Sequence, residues 1–139
     1  MATFNKTNQF VEDIGKGVHV FGTHQLKVAL TNTAPTAANA TYAALTSPLP
    51  TTNLSGGTPF NVTTTSYTQT SGTASLVLVD LTLTATAAVG PFRYVALYND
   101  TPTSPADPLI GWYDYGSSVT MANTETFLID FAATTLTLV

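Results

Sequence analysis

Two histidines, His19 and His24, stand five residues apart across a glycine-containing turn. With Glu12 and Asp13 a turn or two upstream they could form a metal site of imidazoles and carboxylates, although the spacing matches no established ligand pattern. The other reading is a pair of imidazoles bonded to backbone at a surface or an interface. A second group, Asn99, Asp100 and Asp107 with Thr101 and Ser104 between, offers the oxygen donors that calcium takes. It lacks the ligand alternation and central glycine of an EF-hand loop, and Asn and Asp also cap turns beside proline. Asp80, Asp114 and Asp130 each interrupt an apolar, strand-like stretch. Paired carboxylates perform acid–base and glycosidic chemistry. Yet Asp80 and Asp130 alternate away from the apolar side of their stretches, as solvated or edge-guarding residues do, and Arg93 is available to pair with one of the three. The densest feature is aromatic: Phe92, Tyr94, Tyr98, Trp112, Tyr113 and Tyr115. Exposed in a groove, Trp112, Tyr113 and Tyr115 would make a carbohydrate platform. Buried, the group is packing between neighbouring strands.

Other chemistry finds no foothold. No Gly-x-Ser-x-Gly elbow is present, no glycine-rich phosphate loop, and no cysteine for a thiolate site, a nucleophile or a disulfide. Five Asn-x-Ser/Thr triplets, at Asn5, Asn39, Asn53, Asn61 and Asn99, follow from the abundance of threonine, 28 residues of 139. A glycan hydrolase would need two of Asp80, Asp100, Asp107, Asp114, Glu125 and Asp130 about 5–10 Å apart in a cleft. No catalytic, cofactor-binding or metal-ligating residue is assigned, and the expectation is a protein that is not an enzyme.

The elements that must carry these residues are mostly strands. Residues 3–16 hold the one helical signal, with Thr3 as N-cap, Phe10, Val11 and Ile14 on an apolar stripe, and Gly15 and Gly17 as stops. Gln25–Asn32 alternates as a half-buried strand. Thr33–Thr58 has no period and reads as a long loop or extended arm, with a short helical turn near Ala38–Leu45. Phe60–Thr70 is a polar outer strand, and Thr73–Thr86 one long strand with Val77, Val79, Leu81, Leu83 and Ala85 on its apolar face. Phe92–Asn99, apolar on both faces, is a central strand, with Phe92, Tyr94, Ala96 and Tyr98 on one side. Leu109–Tyr115 follows, and Val119–Met121 and Thr126–Phe131 form a hairpin across Ala122–Glu125. Thr134–Val139 is the last strand. The prediction is an all-β fold: an antiparallel β-sandwich, jelly-roll-like, with a short N-terminal helix. Residues 1–22 form an N-terminal helix or arm, and residues 23–139 a single β-sandwich domain with the long loop 33–58.

Composition bounds the partners. Charged residues make up only 9% of the chain, with a net charge of −4, where about 25% charged is usual. Four scattered cations, Lys6, Lys16, Lys27 and Arg93, cannot supply a phosphate-binding stripe, so nucleic acid is excluded, and a polybasic membrane anchor with it. No apolar run reaches the roughly 18 residues of a membrane span. Met1–Gln9 lacks the apolar core of a signal peptide, which points to synthesis in the cytoplasm. A surface of Thr, Ser, Asn and Ala is cheap to desolvate and suits contact with other subunits. The same threonines also suit strands in any β protein.

Three stretches carry a resemblance. They are Phe4-Asn5-Lys6-Thr7-Asn8-Gln9-Phe10-Val11-Glu12, Leu26-Lys27-Val28-Ala29-Leu30-Thr31-Asn32-Thr33-Ala34-Pro35, and Gly90 to Asp100 together with Asp107 to Gly116. The chain resembles small virion structural proteins of tailed bacteriophages. That resemblance implies a capsid decoration, or cement, protein on the outside of the head shell, with a tail or neck component as the alternative. It implies the major capsid protein and further copies of the chain as partners, most simply as a trimer, and no cofactor. The helix and the 33–58 segment would then be arms, so removing residues 1–17 should leave the β-core folded and weaken assembly. A carbohydrate-binding host-attachment module is the remaining alternative.

Overall fold

A computed structural model describes residues 2–138. Strand accounts for 47% of the chain and helix for 8%, so the fold is all-β with one short helix. In chain order the elements are β1 (Phe4–Lys6), α1 (Asn8–Gly15), β2 (Leu26–Thr31), a 3-10 turn at Tyr42–Ala44, β3 (Asn61–Val62), β4 (Thr64–Thr70) and β5 (Thr73–Leu78). They continue with β6 (Leu81–Thr84), β7 (Val89–Asn99), β8 (Leu109–Met121), β9 (Thr126–Ile129) and β10 (Leu136–Leu138). A five-stranded sheet runs β1-β8-β7-β2-β3, beside a three-stranded sheet β10-β5-β4 and a pair β6-β9, all antiparallel. The expected sandwich with its N-terminal helix is therefore present. Val139, in the expected last strand, lies outside the described residues.

The main core lies on one face of the large sheet. Leu26, Val28 and Leu30 of β2, Val95 and Leu97 of β7, and Ile110 and Tyr113 of β8 meet Leu76, Leu78, Leu83, Ile129 and Leu136 of the smaller sheets. The opposite face has its own cover. Tyr42 and Leu45 lie on Ala29, Ala96, Tyr98 and Leu109, with Trp112 beside them. The 33–58 segment is thus no extended arm. Leu49 N donates to Leu30 O, Tyr42 N to Asp107 O, and the Thr31 hydroxyl to Thr46 O. The apolar residues on both faces of β2 and β7 required such a cover, and this segment supplies it.

The N-terminal residues are also part of the packed unit. β1 pairs with β8, Phe4 opposite Tyr113. Thr3 is not the helix cap. The cap position is Thr7, buried, whose hydroxyl reaches back to the carbonyls of Leu109 and Ile110. The inward face of α1 is Phe10, with no exposed surface, and Asp13, while Val11 is 55% exposed. The close fit of β1 on β8 depends on Gly111, where a Cβ would stand 2.3 Å from Asn5 O and 2.6 Å from the Phe4 ring. Gly111→Ala is expected to dislodge β1 and cost about 1–3 kcal/mol as overpacking does, read as a lower urea midpoint with faster amide exchange at residues 4–6.

Three further expectations are corrected by irregularities of the strands. Thr73–Thr86 is two strands: the chain turns at Val79-Asp80 from the three-stranded sheet to the β6-β9 pair. The buried side consequently changes parity, Leu76 and Leu78 before the corner and Leu83 and Ala85 after it, leaving Val79 48% exposed. Bulges around Phe92 place that ring with Val95 and Leu97 and not with Ala96 and Tyr98. The predicted 119–131 hairpin does not form. β8 runs on to Met121 against β7, and after the Ala122–Glu125 turn β9 crosses to pair with β6. Phe127, Ile129 and Phe131 do share the inward side, with Leu128 exposed.

Candidate functional site

The two histidines converge, and the residue between them is Asn99. Its side-chain nitrogen lies 3.1 Å from His19 Nδ1 and 2.9 Å from His24 Nδ1, and Asn99 itself has no exposed surface. The backbone settles which atoms donate. Thr101 N–H donates to Asn99 Oδ1, which orients the amide, and Val20 N–H donates to His24 Nδ1, which makes that nitrogen an acceptor. The Asn99 amide therefore donates to both rings, whose Nδ1 atoms accept, and in this arrangement the single proton of a neutral imidazole lies on Nε2. His19 is buried between Phe10 and Phe21, at ring separations of 5.2 and 5.6 Å. Burial pushes its pKa down to about 4, against a smaller opposing pull from the Asp13 carboxylate. His19 Nε2 and Asp13 Oδ2 are both buried without a hydrogen-bond partner. Gln9 donates to the other oxygen of Asp13, while Glu12 pairs outward with Lys16 on the exposed side of the helix. Among the described residues no three of His, Asp and Glu gather as a cation would need. The cluster locks the 18–24 turn to the end of β7, a role that the spacing of the histidines did not reveal because Asn99 is distant in sequence.

The 99–107 loop is dispersed in the same way. Asn99 turns inward, Asp100 pairs with Lys27 at 3.0 Å, and Thr101 Oγ1 accepts from Gln25 N. Burial and the nearby Asp100 raise the pKa of Asp107. The strand carboxylates each have a structural partner or an exposed position. Arg93 does pair with one of them, Asp114, through two bonds of 2.8 and 3.0 Å, which with the Gly116 N–H holds that carboxyl below its ordinary pKa. Asp80 accepts from Phe131 N and ties the β5-β6 corner to the end of β9. Glu125 accepts from Ala122 N within its turn. Asp130 is exposed.

The aromatic residues do not form a platform. Trp112 and Tyr113 point to opposite faces of β8, Trp112 toward the 33–58 cover and Tyr113 into the main core. Phe92, Tyr98 and Tyr113 are buried, and Tyr115 alone of the expected three is exposed, at 54%. No family model, no curated protein and no solved structure matches the chain. Two concavities adjoin the aromatic residues. One, of about 370 Å³, is lined by Lys27, Tyr42, Phe60, Asn61 and Tyr98 under the 33–58 segment. The other is a smaller apolar groove of about 150 Å³ between β8 and β9, where Tyr115 and Phe127 meet at 5.1 Å beside exposed Leu128. Neither was foreseen, since each is walled by segments whose packing the sequence pattern left open. No helix among the described residues is long and apolar enough to cross a membrane.

Proposed function

We propose that this chain is a structural protein of a tailed-bacteriophage virion, a capsid decoration protein that binds the outer face of the head shell as a homo-oligomer, most simply a trimer. One observation carries the reading: charged residues are only 9% of the chain, so the exposed surface is mostly neutral. Three of the four cations are held in ion pairs, Lys16 with Glu12, Lys27 with Asp100 and Arg93 with Asp114. What surrounds them is threonine, serine and asparagine, with Val11, Val20, Val79, Tyr115 and Leu128 exposed. A freely diffusing monomer ordinarily keeps a more charged surface. Removing such a neutral surface from water costs no ionic hydration, so modest contacts of roughly 1,600 Å² each hold, and oligomers that touch several capsomers add avidity. The binding surfaces are faces and edges of the folded unit, since both expected arms are packed into it. The major capsid protein is the partner this role requires.

Electron cryomicroscopy of intact particles tests the reading. The expected result is density for this fold on the outside of the head, in the hundreds of copies a shell requires. Density at the tail or neck, or a particle without the chain, overturns the decoration role.

A further inference from the structure

The open strand edges of the molecule are unequal. The outer edge of β6 is covered by residues 53–55, with Ser55 N bonded to Thr84 O and Thr86 N to Asn53 O. β3 has two residues, β1 and β10 three each, and β9 four, while β8 runs on past β1 from Asp114 but is broken there by an irregular register and by the Arg93–Asp114 ion pair. β4 has seven, Thr64-Thr65-Ser66-Tyr67-Thr68-Gln69-Thr70, and lies at the end of its sheet with no strand beyond it among the described residues. It carries neither a charge nor a proline, the devices that keep an edge strand from pairing with another chain.

We propose that two copies of this chain join edge to edge through β4, antiparallel, about a twofold axis at Thr68. The hairpin turn sets which backbone groups of β4 face outward. Ser71 and Gly72 both have positive φ, 51° and 83°, which makes a two-residue type I′ turn. Such a turn is flanked by a mutually hydrogen-bonded pair, here Thr70 and Thr73, and antiparallel pairs then alternate. Thr70, Thr68 and Ser66 therefore direct their N–H and C=O groups toward Thr73, Ser75 and Val77 of β5. Tyr67 and Gln69 direct theirs to the open side.

An antiparallel partner must present its own open-side residues there. Tyr67 against Gln69 of the second copy, and Gln69 against its Tyr67, satisfy that condition with four backbone hydrogen bonds and leave Thr68 facing its own counterpart. The side chains agree with this register. Ser66 falls opposite Thr70, and Thr68 opposite Thr68, an uncharged row of hydroxyls of the kind that pairs favourably across strands. The strand is anchored beneath by Tyr67, whose ring packs on Phe21 at 5.0 Å, and the bulge between Thr64 and Ser66 closes the regular edge at its other end. The two three-stranded sheets become one of six strands. This contact goes beyond the virion reading and stands whether or not the chain belongs to a particle. It also leaves the rest of the surface for threefold contacts.

The chain has no cysteine, so a crosslink can be read cleanly. Facing residues of a non-hydrogen-bonded antiparallel pair have Cα atoms about 4.5 Å apart, within the roughly 4.4–6.8 Å range of a disulfide. Under mild oxidation Thr68→Cys is expected to form a covalent dimer at least tenfold faster than Asn123→Cys, an exposed control in the Ala122–Glu125 turn. In sedimentation velocity the wild type is expected to run as a dimer at tens of micromolar, and Thr68→Lys, which sets two ammonium groups against each other on the axis, as a monomer whose thermal transition stays cooperative, is lower by the lost association, and no longer rises with protein concentration. A wild type that stays monomeric, equal crosslinking of the two cysteine variants, or a Thr68→Lys variant that remains dimeric would each overturn the proposal.

Discussion

A chain lacking residues 1–17 is expected to lose more than about 5 kcal/mol of unfolding free energy, comparable to the whole stability of many domains of this size. The deletion removes β1 from the edge of the large sheet, leaving the open edge of β8 and one side of Tyr113 bare. It also removes Phe10, which is fully buried against His19 and Phe21, and the hydrogen bonds that Thr7 gives to the Leu109 and Ile110 carbonyls. A graded version of the experiment is Phe10→Ala in the full chain. Truncation of a buried Phe typically costs about 3–5 kcal/mol, through lost transfer energy and the cavity left behind. Urea denaturation followed by circular dichroism reads both. If the shortened chain unfolds cooperatively at the wild-type midpoint, residues 4–16 are an appendage and the packing described for α1 is wrong.

Acidification from pH 6.5 toward 4 is expected to remove about 3 kcal/mol of stability through one side chain, His19. In the unfolded chain this imidazole takes up a proton near its ordinary pKa of 6.5, whereas in the fold burial holds it neutral down to about 4. Between those values the unfolded state binds more protons, so stability rises with pH across that window. The contribution is complete above 6.5 and fully lost below 4. The hydrogen bond from Asn99 has the same sense, because a proton on Nδ1 would set donor against donor. Urea unfolding at pH 7, 6, 5 and 4.5 measures the slope before most carboxylates titrate. His19→Gln should flatten it. A wild-type slope of zero over this range would mean that His19 is hydrated in the fold.

The regular strands were legible because alternation and burial agree there. Leu26–Thr31 and the central strand ending at Asn99 stand where the pattern placed them, and the inward row Phe127, Ile129 and Phe131 holds. What periodicity missed was every point at which the chain changes partner. At Val79-Asp80 the strand leaves one sheet for another, and at Phe92 and Ile110 bulges shift the faces by one residue. Val79-Asp80 carries neither proline nor glycine, and Gly90-Pro91 and Gly111, which flank the two bulges, do not by themselves say which way a face shifts. The helix stands where expected, and its buried side holds in part, with Phe10 inside and Ile14 against the core. Val11 satisfied the apolar stripe, while Asp13, a polar residue, is placed inside next to the His19 ring. The His19–Asn99–His24 cluster was half visible. The histidine pair stands out by residue type, but the amide that joins them lies 80 and 75 positions away, in a stretch whose Asn, Asp and Pro residues equally suit a turn. The 33–58 segment was opaque for a similar reason. Its few apolar residues, Tyr42, Leu45, Leu49 and Leu54, have no repeat of their own and acquire an inside only from the sheet beneath them.

The pairing of Phe4–Lys6 with Gly111–Tyr113 also sets an order of events during translation. At roughly 5–20 residues per second, a ribosome takes about 5–20 s to make the hundred or so residues that separate these strands. Throughout that interval Phe4 and Phe10 have no sheet to close upon. Strand β1 is thus made well before it can settle, and the nascent protein presents it to whatever chaperones wait at the tunnel exit.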